Sequence, residues 1–268
     1  HLIVLGGYRT KFMKKAEKFF SGFHPNAPII ITNHQTAEMI KYANNSFLAT
    51  KISFINQIGN ICEEIPNANI DDISKAIGLD PRIGNLFLNA GPGYGGSCLP
   101  KDVKAIINFS AKMGINPTLL TAVEKTNKQQ IDNILRLTEQ NIGKINGKKI
   151  TILGVAFKPE TDDIRDSVGI GLAKRLLKLG AKITIHDPKA LENARKIFHD
   201  NAKYVKSIPS ALKDCQCAII MTQWKDYETI NNKTINLMAK KLIIDSRRIL
   251  SNKNLNAKYY AIGLGQKV

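Results

Sequence analysis

The stretch that decides the fold of this chain runs from residue 150 to residue 187 and reads ITILGVAFKPETDDIRDSVGIGLAKRLLKLGAKITIHD. Both of its ends are short apolar runs rich in β-branched residues, which predict strands at Ile150–Ala156 and Lys182–His186. The segment between them, Ser167–Leu179, has the apolar spacing of a helix. A strand, a helix and a second strand in this order predict one unit of a parallel α/β sheet.

The same alternation continues towards the end of the chain. It predicts a further helix and three further strands, at Leu191–Phe198, Cys217–Thr222, Lys241–Asp245 and Lys258–Ile262. We therefore expect residues 147–268 to form a doubly wound parallel sheet, that is, a Rossmann-like domain. The first turn of this sheet, GVAFKP at residues 154–159, lacks the G-x-G-x-x-G fingerprint of dinucleotide sites.

Three cationic residues follow strands of this predicted sheet: Lys158, Arg165 and Arg247. Ligands of open α/β sheets bind beyond the carboxyl ends of the strands. If the three cations converge there, they suit a ligand that carries phosphate.

The residues before the sheet divide into two parts. A strand at Leu2–Leu5, a helix at Thr10–Phe20 and a strand at Pro28–Thr32 predict that residues 1–33 are the end of an α/β domain whose beginning is absent from this sequence. Residues 34–146 are predicted to form a central all-helical domain, with helices at Thr36–Glu64, Asp71–Ile77, Lys101–Met113 and Thr118–Asn141. The first of these helices is so apolar that we expect it to be buried between layers or against a second copy of the chain.

Composition excludes several classes of protein. The 268 residues suffice for about two domains, and 43% hydrophobic with 23% charged residues is typical of a globular protein. The net charge of +17 is spread along the chain without a basic block, so we expect a solvated basic surface and no nucleic-acid partner. No apolar run reaches the roughly 20 residues of a membrane span and no signal peptide is visible, so we predict a cytoplasmic location.

The four cysteines fall into two groups. Cys62, Cys215 and Cys217 lie in apolar surroundings and are predicted to be buried thiols, and the lone C-x-C pair is weak evidence for a metal. Cys98 lies in the glycine-rich run GPGYGGSCLPKD, residues 91–102, shortly after its last glycine. The glycines leave room for a ligand to approach the backbone.

Cys98 is also predicted to stand at the start of a helix. A helix N-terminus and the neighbouring Lys101 both favour a thiolate, which makes Cys98 a candidate nucleophile. Asp102, four residues on, can face the same space, and on the long helix Lys41 and Asn45 project together. Taken alone, Cys98 is equally consistent with a cysteine packed after a glycine turn. Lys41 and Asn45, taken alone, are typical of a solvated helix face.

Four separated motifs together resemble the UDP-glucose/GDP-mannose dehydrogenase family. They are AEMIKYANNSFLATK at residues 37–51, RIG at 82–84, the glycine-cysteine run at 91–102, and GVAFK at 154–158 with DDIR at 162–165. The resemblance covers essentially all of the chain. Ser97 fits the members that act on UDP-glucose or GDP-mannose, and Tyr94 with the stretch NNSFLA at residues 44–49 is most similar to those that act on UDP-glucose. Members of the family oxidise C6 of a nucleotide sugar twice, from alcohol to carboxylate, with two NAD⁺ and one water.

The resemblance also implies roles for individual residues. Cys98 would capture the intermediate aldehyde and carry a thioester, Lys41 and Asn45 would stabilise the negative oxygen, and Asp102 would position or deprotonate water. Lys101 and Arg165 would contact NAD. The nucleotide sugar would be bound by Lys41, Arg82, Phe87, Leu88, Asn89, Ala90, Gly91, Gly95, Phe157, Lys158 and Arg247, with Arg82 reaching across a homodimer formed by the long helix.

The family's G-x-G-x-x-G segment and its assisting Thr and Glu have no counterpart in these residues. We therefore expect this polypeptide alone to bind NAD poorly and to turn over negligibly. Two alternatives stay open beside UDP-glucose oxidation: a catalytically inactive UDP-sugar-binding or dimerising remnant, and a dehydrogenase of GDP-mannose or another UDP-sugar. A nucleic-acid-binding role would rest on the basic charge alone.

Overall fold

The computed structural model describes residues 2–266, which form two compact units divided between Leu48 and Ala49. In the first unit, β1 (Ile3–Gly6) and β2 (Ile29–Thr32) pair in parallel and are joined by α1 (Thr10–Phe23). The long helix α2 (His34–Glu63) begins in the first unit and ends in the second. The predicted strand–helix–strand opening is confirmed, with bounds that shift by up to three residues.

The second unit begins with a helical part. After α2 come α3 (Ile70–Gly78), α4 (Leu99–Lys112) and α5 (Thr118–Ile142). Asn69 caps α3 by accepting a hydrogen bond from the backbone N–H of Asp71, which satisfies one of the open donors of the first turn. These helices confirm the predicted central helical region.

The rest of the second unit is a six-stranded, wholly parallel sheet with the order β5-β4-β3-β6-β7-β8. The strands are β3 (Lys149–Leu153), β4 (Lys182–His186), β5 (Ala202–Tyr204), β6 (Cys217–Ile220), β7 (Leu242–Asp245) and β8 (Lys258–Ala261). The helices are α6 (Val168–Lys178), α7 (Leu191–Phe198), α8 (Ile208–Leu212) and α9 (Asn232–Ile235), with short 3₁₀ turns at His199–Asn201 and Lys225–Thr229. The order reverses between β3 and β6, which is the switch point of a doubly wound fold.

Two buried aspartates hold the loops at the carboxyl ends of these strands. Asp187 accepts hydrogen bonds from the backbone N–H groups of Val155 (2.7 Å) and Ala156 (2.9 Å). Asp245 does the same for Arg247 (3.0 Å) and Leu250 (2.8 Å). The chain after β3 and after β7 is therefore fixed by charge-assisted hydrogen bonds before any ligand arrives.

Some sequence-based expectations need correction. The short elements β5, α8 and α9 were not predicted, because they span only three to five residues each. The expectation that the apolar stripe of α2 is buried between layers of this chain is wrong, since Phe47, Phe54 and Ile61 are 65%, 49% and 53% exposed. The domain bounds at residues 33/34 and 146/147 stay a prediction, and residues 1, 267 and 268 of the outer domains lie outside the described residues.

The three apolar cysteines are buried, as predicted, and Cys98 is exposed. Within residues 2–266, no helix combines the length and the apolar content that crossing a bilayer requires.

One arginine joins the helical part of the second unit to the sheet. The guanidinium of Arg248, only 6% exposed, donates to both carboxylate oxygens of Asp71 on α3 (2.9 and 3.0 Å). It also donates to the carbonyl oxygens of Ala90 (2.9 Å) and Ile262 (3.1 Å). Four hydrogen bonds from one buried cation therefore connect α3 and Ala90 to the end of the sheet.

Replacing Arg248 by Met is expected to lower the free energy of unfolding of the second unit by about 3 kcal/mol, because two buried carbonyl oxygens lose their donor. Urea unfolding followed by the fluorescence of the single tryptophan, the buried Trp224, measures this change. The matched control is Arg175→Met, which removes a half-exposed ion pair with Asp132 and is expected to cost less than about 1 kcal/mol. Equal losses in the two variants would contradict the role given to Arg248.

Candidate functional site

A cavity of about 410 Å³ lies at the switch point of the sheet, beyond the carboxyl ends of β3 and β7. Open α/β sheets bind their ligands at this place. The lining residues come from α2, from the segment before α4 and from the two strand ends: Ile52, Asn56, Leu86, Phe87, Asn89, Gly91, Gly93, Tyr94, Gly95, Leu99, Phe157, Lys158 and Arg247. All of them belong to the second unit.

Arg247 and Lys158 supply the positive charge of this cavity. Arg247 is held by Nε, which donates to the carbonyl oxygen of Met221 (3.0 Å). Burial, followed by the nearby charge of Arg248, lowers the pKa of Arg247 to about 10, so the guanidinium stays charged at neutral pH. Within the part of the chain that the structure describes, Arg247 has no ion-pair partner. A partly buried cation without an ion-pair partner is suited to an anionic ligand.

The prediction that three cations converge on one site is wrong for Arg165. Lys158 and Arg247 line the cavity, whereas Arg165 lines a neighbouring groove of about 510 Å³. Arg165 is turned towards Asp163, whose carboxylate accepts from Nε (3.0 Å) and Nη2 (2.7 Å). The position of each cation after a strand predicted which loop carries it, but not the direction of its side chain.

The wall formed by residues 87–91 alternates between the cavity and the core. Phe87 and Asn89 line the cavity, but Leu88 and Ala90 are 3% and 2% exposed and pack in the core with Ile55 and others. The expectation that Leu88 and Ala90 contact a ligand is therefore restricted to their backbone atoms.

The glycines of the cysteine loop let it pack closely against its neighbours; the expectation that they also leave room for a ligand stays a prediction. A Cβ on Gly95 would lie 2.3 Å from the carbonyl oxygen of Asp166, and a Cβ on Gly96 would lie 2.7 Å from the ring of Phe157. Gly93 has φ +104° and would place a Cβ 2.6 Å from Asn127. The faces of Gly93 and Gly95 that would carry a Cβ contact protein atoms. The backbone atoms of both glycines line the cavity.

Two asparagines that sequence reasoning missed hold this loop in place. Asn127 on α5 accepts from the N–H of Tyr94 (2.8 Å) and donates to its carbonyl oxygen (3.0 Å). Asn56 on α2 accepts from the N–H of Gly91 (2.7 Å). The signal available in the sequence was an amide side chain on the buried face of each helix, where apolar residues are the rule.

Cys98 occupies the N-cap of α4, as predicted, and is exposed. The Ser97 Oγ lies 3.7 Å from its Sγ. The neighbouring Leu99 lines the cavity, while Pro100 lines the groove that also contains Arg165. Hydrogen bonding to Asp163 raises the pKa of Arg165, and Cys98 adds a smaller contribution in the same direction.

Lys101 and Asp102 form an ion pair at the start of α4. The Lys101 Nζ lies 2.9 Å from Asp102 Oδ1, with the lysine side chain 62% exposed and the aspartate fully buried. The Asp102 backbone N–H donates to the carbonyl oxygen of Cys98 (2.9 Å). Asp102 is therefore adjacent to the cysteine in the first turn, but it lies in the interior and outside the lining of the cavity.

The remaining predicted residues are Lys41 and Asn45 in the first unit and Arg82 in the second, and Arg82 lies outside the lining of the cavity. Lys41 and Asn45 stand one turn apart on α2 in the first unit, with Lys41 exposed and its Nζ 5.2 Å from the Tyr42 ring centroid. Arg82 is 87% exposed and paired with Asp80 through Nη2 (2.6 Å). The roles of Lys41, Asn45 and Arg82 stay predictions.

The fold and the cavity define an α/β protein with a Rossmann-like sheet and a helical part that carries an exposed cysteine. Residues 35–129 match the sequence profile described as "UDP-glucose/GDP-mannose dehydrogenase family, central domain", and residues 151–252 match the profile of the same family's UDP binding domain. The chain belongs to the UDP-glucose/GDP-mannose dehydrogenase family, as the motifs predicted.

Named relatives agree with this assignment. The chain is 44% identical to UDP-glucose 6-dehydrogenase of Rickettsia conorii, over 87% of this chain and 55% of the relative. It is 39% identical to UDP-glucose 6-dehydrogenase TuaD of Bacillus subtilis, over 97% of this chain and 57% of the relative. The chain thus spans between half and three fifths of the length of these relatives.

A solved structure of a UDP-glucose dehydrogenase from Pyrobaculum islandicum superimposes with a TM-score of 0.87 and 33% identity, over 97% of this chain and 58% of that one. A UDP-D-ManNAc dehydrogenase from Pyrococcus horikoshii, at 22% identity and a TM-score of 0.82, shares the fold.

Proposed function

We propose that this chain supplies the nucleotide-sugar site and the nucleophilic cysteine of a dehydrogenase that oxidises C6 of UDP-glucose to a carboxylate. The observation that carries the proposal is the cavity at the switch point, into which Arg247 brings a partly buried positive charge without an ion-pair partner among the described residues. A nucleoside diphosphate sugar presents two phosphates, and guanidinium groups bind phosphate through paired hydrogen bonds. The match of residues 151–252 to a UDP binding domain supports the same class of ligand.

UDP-glucose is the proposed sugar because the relatives of highest identity named above carry that activity in their names. Tyr94 in the cysteine loop supports the same sugar. The competing substrates are GDP-mannose and other UDP-sugars. Titration of the wild-type chain with UDP-glucose and with GDP-mannose ranks them directly by affinity.

Cys98 is the proposed nucleophile of the second oxidation. Its thiolate attacks the C6 aldehyde left by the first oxidation, forming a C–S bond and a thiohemiacetal. Loss of a hydride from C6 gives a thioester, and water cleaves the C–S bond to release the carboxylate and the thiol. Exposure and the N-terminal position on α4 favour this role for Cys98 over the three buried thiols.

Other side chains of the proposed site stabilise negative charge or transfer protons. Lys41 and Asn45 stabilise the oxygen that becomes negative at C6, and Asp102 holds or removes a proton of the attacking water. NAD, the proposed cofactor, accepts the hydride when it is bound. Lys101 and Arg165 fit a contact with it, because their side chains are 62% and 69% exposed.

The proposal includes a homodimer through α2. Phe54 and Ile61 are 49% and 53% exposed on one face of this helix, and large apolar side chains in such a stripe favour a partner surface. Phe54→Lys is expected to shift the chain from dimer to monomer in sedimentation velocity. The matched control is Phe109→Lys on α4, where the phenylalanine is 53% exposed. A dimer that survives Phe54→Lys unchanged would rule out this interface.

The test of the proposed function joins binding to the position of Cys98. UDP-glucose is expected to bind the wild-type chain in calorimetry and to slow alkylation of Cys98 by iodoacetamide at least about tenfold, since the sugar covers the thiol. UDP alone is expected to bind but to protect Cys98 less, because it lacks the glucose that would cover the thiol. Absence of UDP-glucose binding contradicts the proposal. Because this chain alone is expected to turn over negligibly, binding and protection of Cys98 are the readouts of this test.

A further inference from the structure

Asn56 is a residue of the cavity wall to which neither the motifs nor the resemblance gives a role. It lies on α2, is fully buried and lines the cavity. Its Oδ1 accepts the hydrogen bond from the backbone N–H of Gly91 at 2.7 Å. Because a backbone N–H can only donate, this contact fixes the amide so that Oδ1 faces Gly91 and Nδ2 faces away from it.

The Nδ2 group of Asn56 is buried and has no hydrogen-bond partner among residues 2–266. Buried polar groups almost always have a partner, and an amide donor taken out of water without one is destabilising. Here the unsatisfied donor belongs to a side chain that lines an open, charged cavity. The most direct acceptor for it is therefore a ligand in that cavity.

The surroundings of Asn56 narrow the chemistry of this acceptor. Gly91 lies between Asn56, which binds its N–H, and Arg247, whose Nη1 would be 3.1 Å from a Cβ on that glycine. One neutral donor and one cationic donor thus flank the same backbone segment. Both require an acceptor, so the group they meet carries oxygens rather than N–H groups.

We propose that Asn56 is a substrate-binding residue, whose Nδ2 donates a hydrogen bond to an oxygen of the nucleotide sugar in the cavity. This inference rests on the proposed function, because it takes its ligand from there. One amide then has two tasks: Oδ1 holds Gly91 in the wall of the cavity and Nδ2 holds the ligand. Occupation of the site supplies the partner that the free protein lacks.

Asn56→Asp separates the two tasks, since it keeps an acceptor for Gly91 and the same volume but removes the donor. We expect the Kd for UDP-glucose, measured by calorimetry, to rise at least about tenfold, because a hydrogen bond is replaced by two facing acceptors. The matched control is Asn60→Asp, one turn further along α2 and outside the lining of the cavity, which is expected to leave the Kd within about twofold.

A neutral variant distinguishes a lost hydrogen bond from simple charge repulsion. Asn56→Leu has a similar volume and removes the Nδ2 donor without adding a charge. We therefore expect Asn56→Leu, like Asn56→Asp, to raise the Kd for UDP-glucose at least about tenfold. A Kd that Asn56→Leu leaves unchanged, or a loss that Asn60→Asp matches, overturns the proposal.

A measurement on the wild-type chain keeps the proposal testable if the variant does not fold. In protein labelled with ¹⁵N-asparagine, the Nδ2 resonances of Asn56 are identified by their proximity to the Gly91 amide proton. Saturation with UDP-glucose is expected to shift these resonances and to slow their exchange with water, and unchanged resonances overturn the proposal. If the wild-type chain does not bind UDP-glucose, the proposed function fails as well; if it binds and Asn56 is silent, only this inference fails.

Discussion

Cys98→Ser is expected to abolish alkylation of the folded chain by iodoacetamide, slowing the reaction at least about a hundredfold at pH 8. Cys98 is exposed at the N-cap of α4, whereas Cys62, Cys215 and Cys217 are buried. Burial raises the pKa of Cys62, that of Cys215 to about 11, and that of Cys217 still further. At pH 8 about one Cys215 thiol in a thousand is ionised, and the thiolate is the reactive form.

Intact-mass spectrometry over a time course measures this reaction. The wild-type chain is expected to gain one carbamidomethyl group and then to stop. Cys62→Ser serves as the control and is expected to react like the wild type. Addition of a second group to the folded wild-type chain, or labelling of Cys98→Ser at an unchanged rate, would show that a second cysteine is accessible and would remove the reason for choosing Cys98 as the nucleophile.

The regular part of the fold was predictable because its signals are long and repeated. The strands of the six-stranded sheet that carry apolar, β-branched runs, such as β3 and β7, were found from composition and alternation with helices. The short elements were not, although each has a local signal. Ser207 caps α8 ahead of Pro209, and Asn231 forms a capping box with Thr234, but helices of four or five residues contain too little periodicity to be recognised.

The candidate site was predictable only as far as chain position determines side-chain direction. Lys158 and Arg247 follow strands and do line the cavity, but Arg165 in a similar place turns to Asp163 and a different groove. A single sequence does not contain that pairing, because it depends on how one loop folds back on itself. Asn56 escaped notice for the opposite reason, since one amide in an apolar stripe does not change the periodicity of a helix.

Arg247→Met is expected to weaken binding of UDP-glucose at least about a hundredfold relative to the wild-type chain, or by about 3 kcal/mol. The reason is that the diphosphate loses a charge-assisted and partly desolvated partner. The low exposure of the guanidinium matters here: a cation whose pKa burial lowers to about 10 has already lost part of its hydration, so a phosphate restores what water no longer supplies. Arg247→Lys keeps the charge but not the paired hydrogen bonds, and it is expected to recover only part of the affinity.

The ligand series separates this electrostatic role from a structural one. Arg247 also donates from Nε to the carbonyl oxygen of Met221, so Met at this position removes one hydrogen bond of the loop as well. If Arg247 acts on the phosphates, the loss must grow from uridine to UMP to UDP, because each step adds negative charge at the same place. A collapsed loop would instead weaken all three ligands equally. Equal losses across the series, or a comparable loss in the surface control Arg175→Met, would place the phosphates elsewhere and leave the charge in the cavity without its proposed ligand.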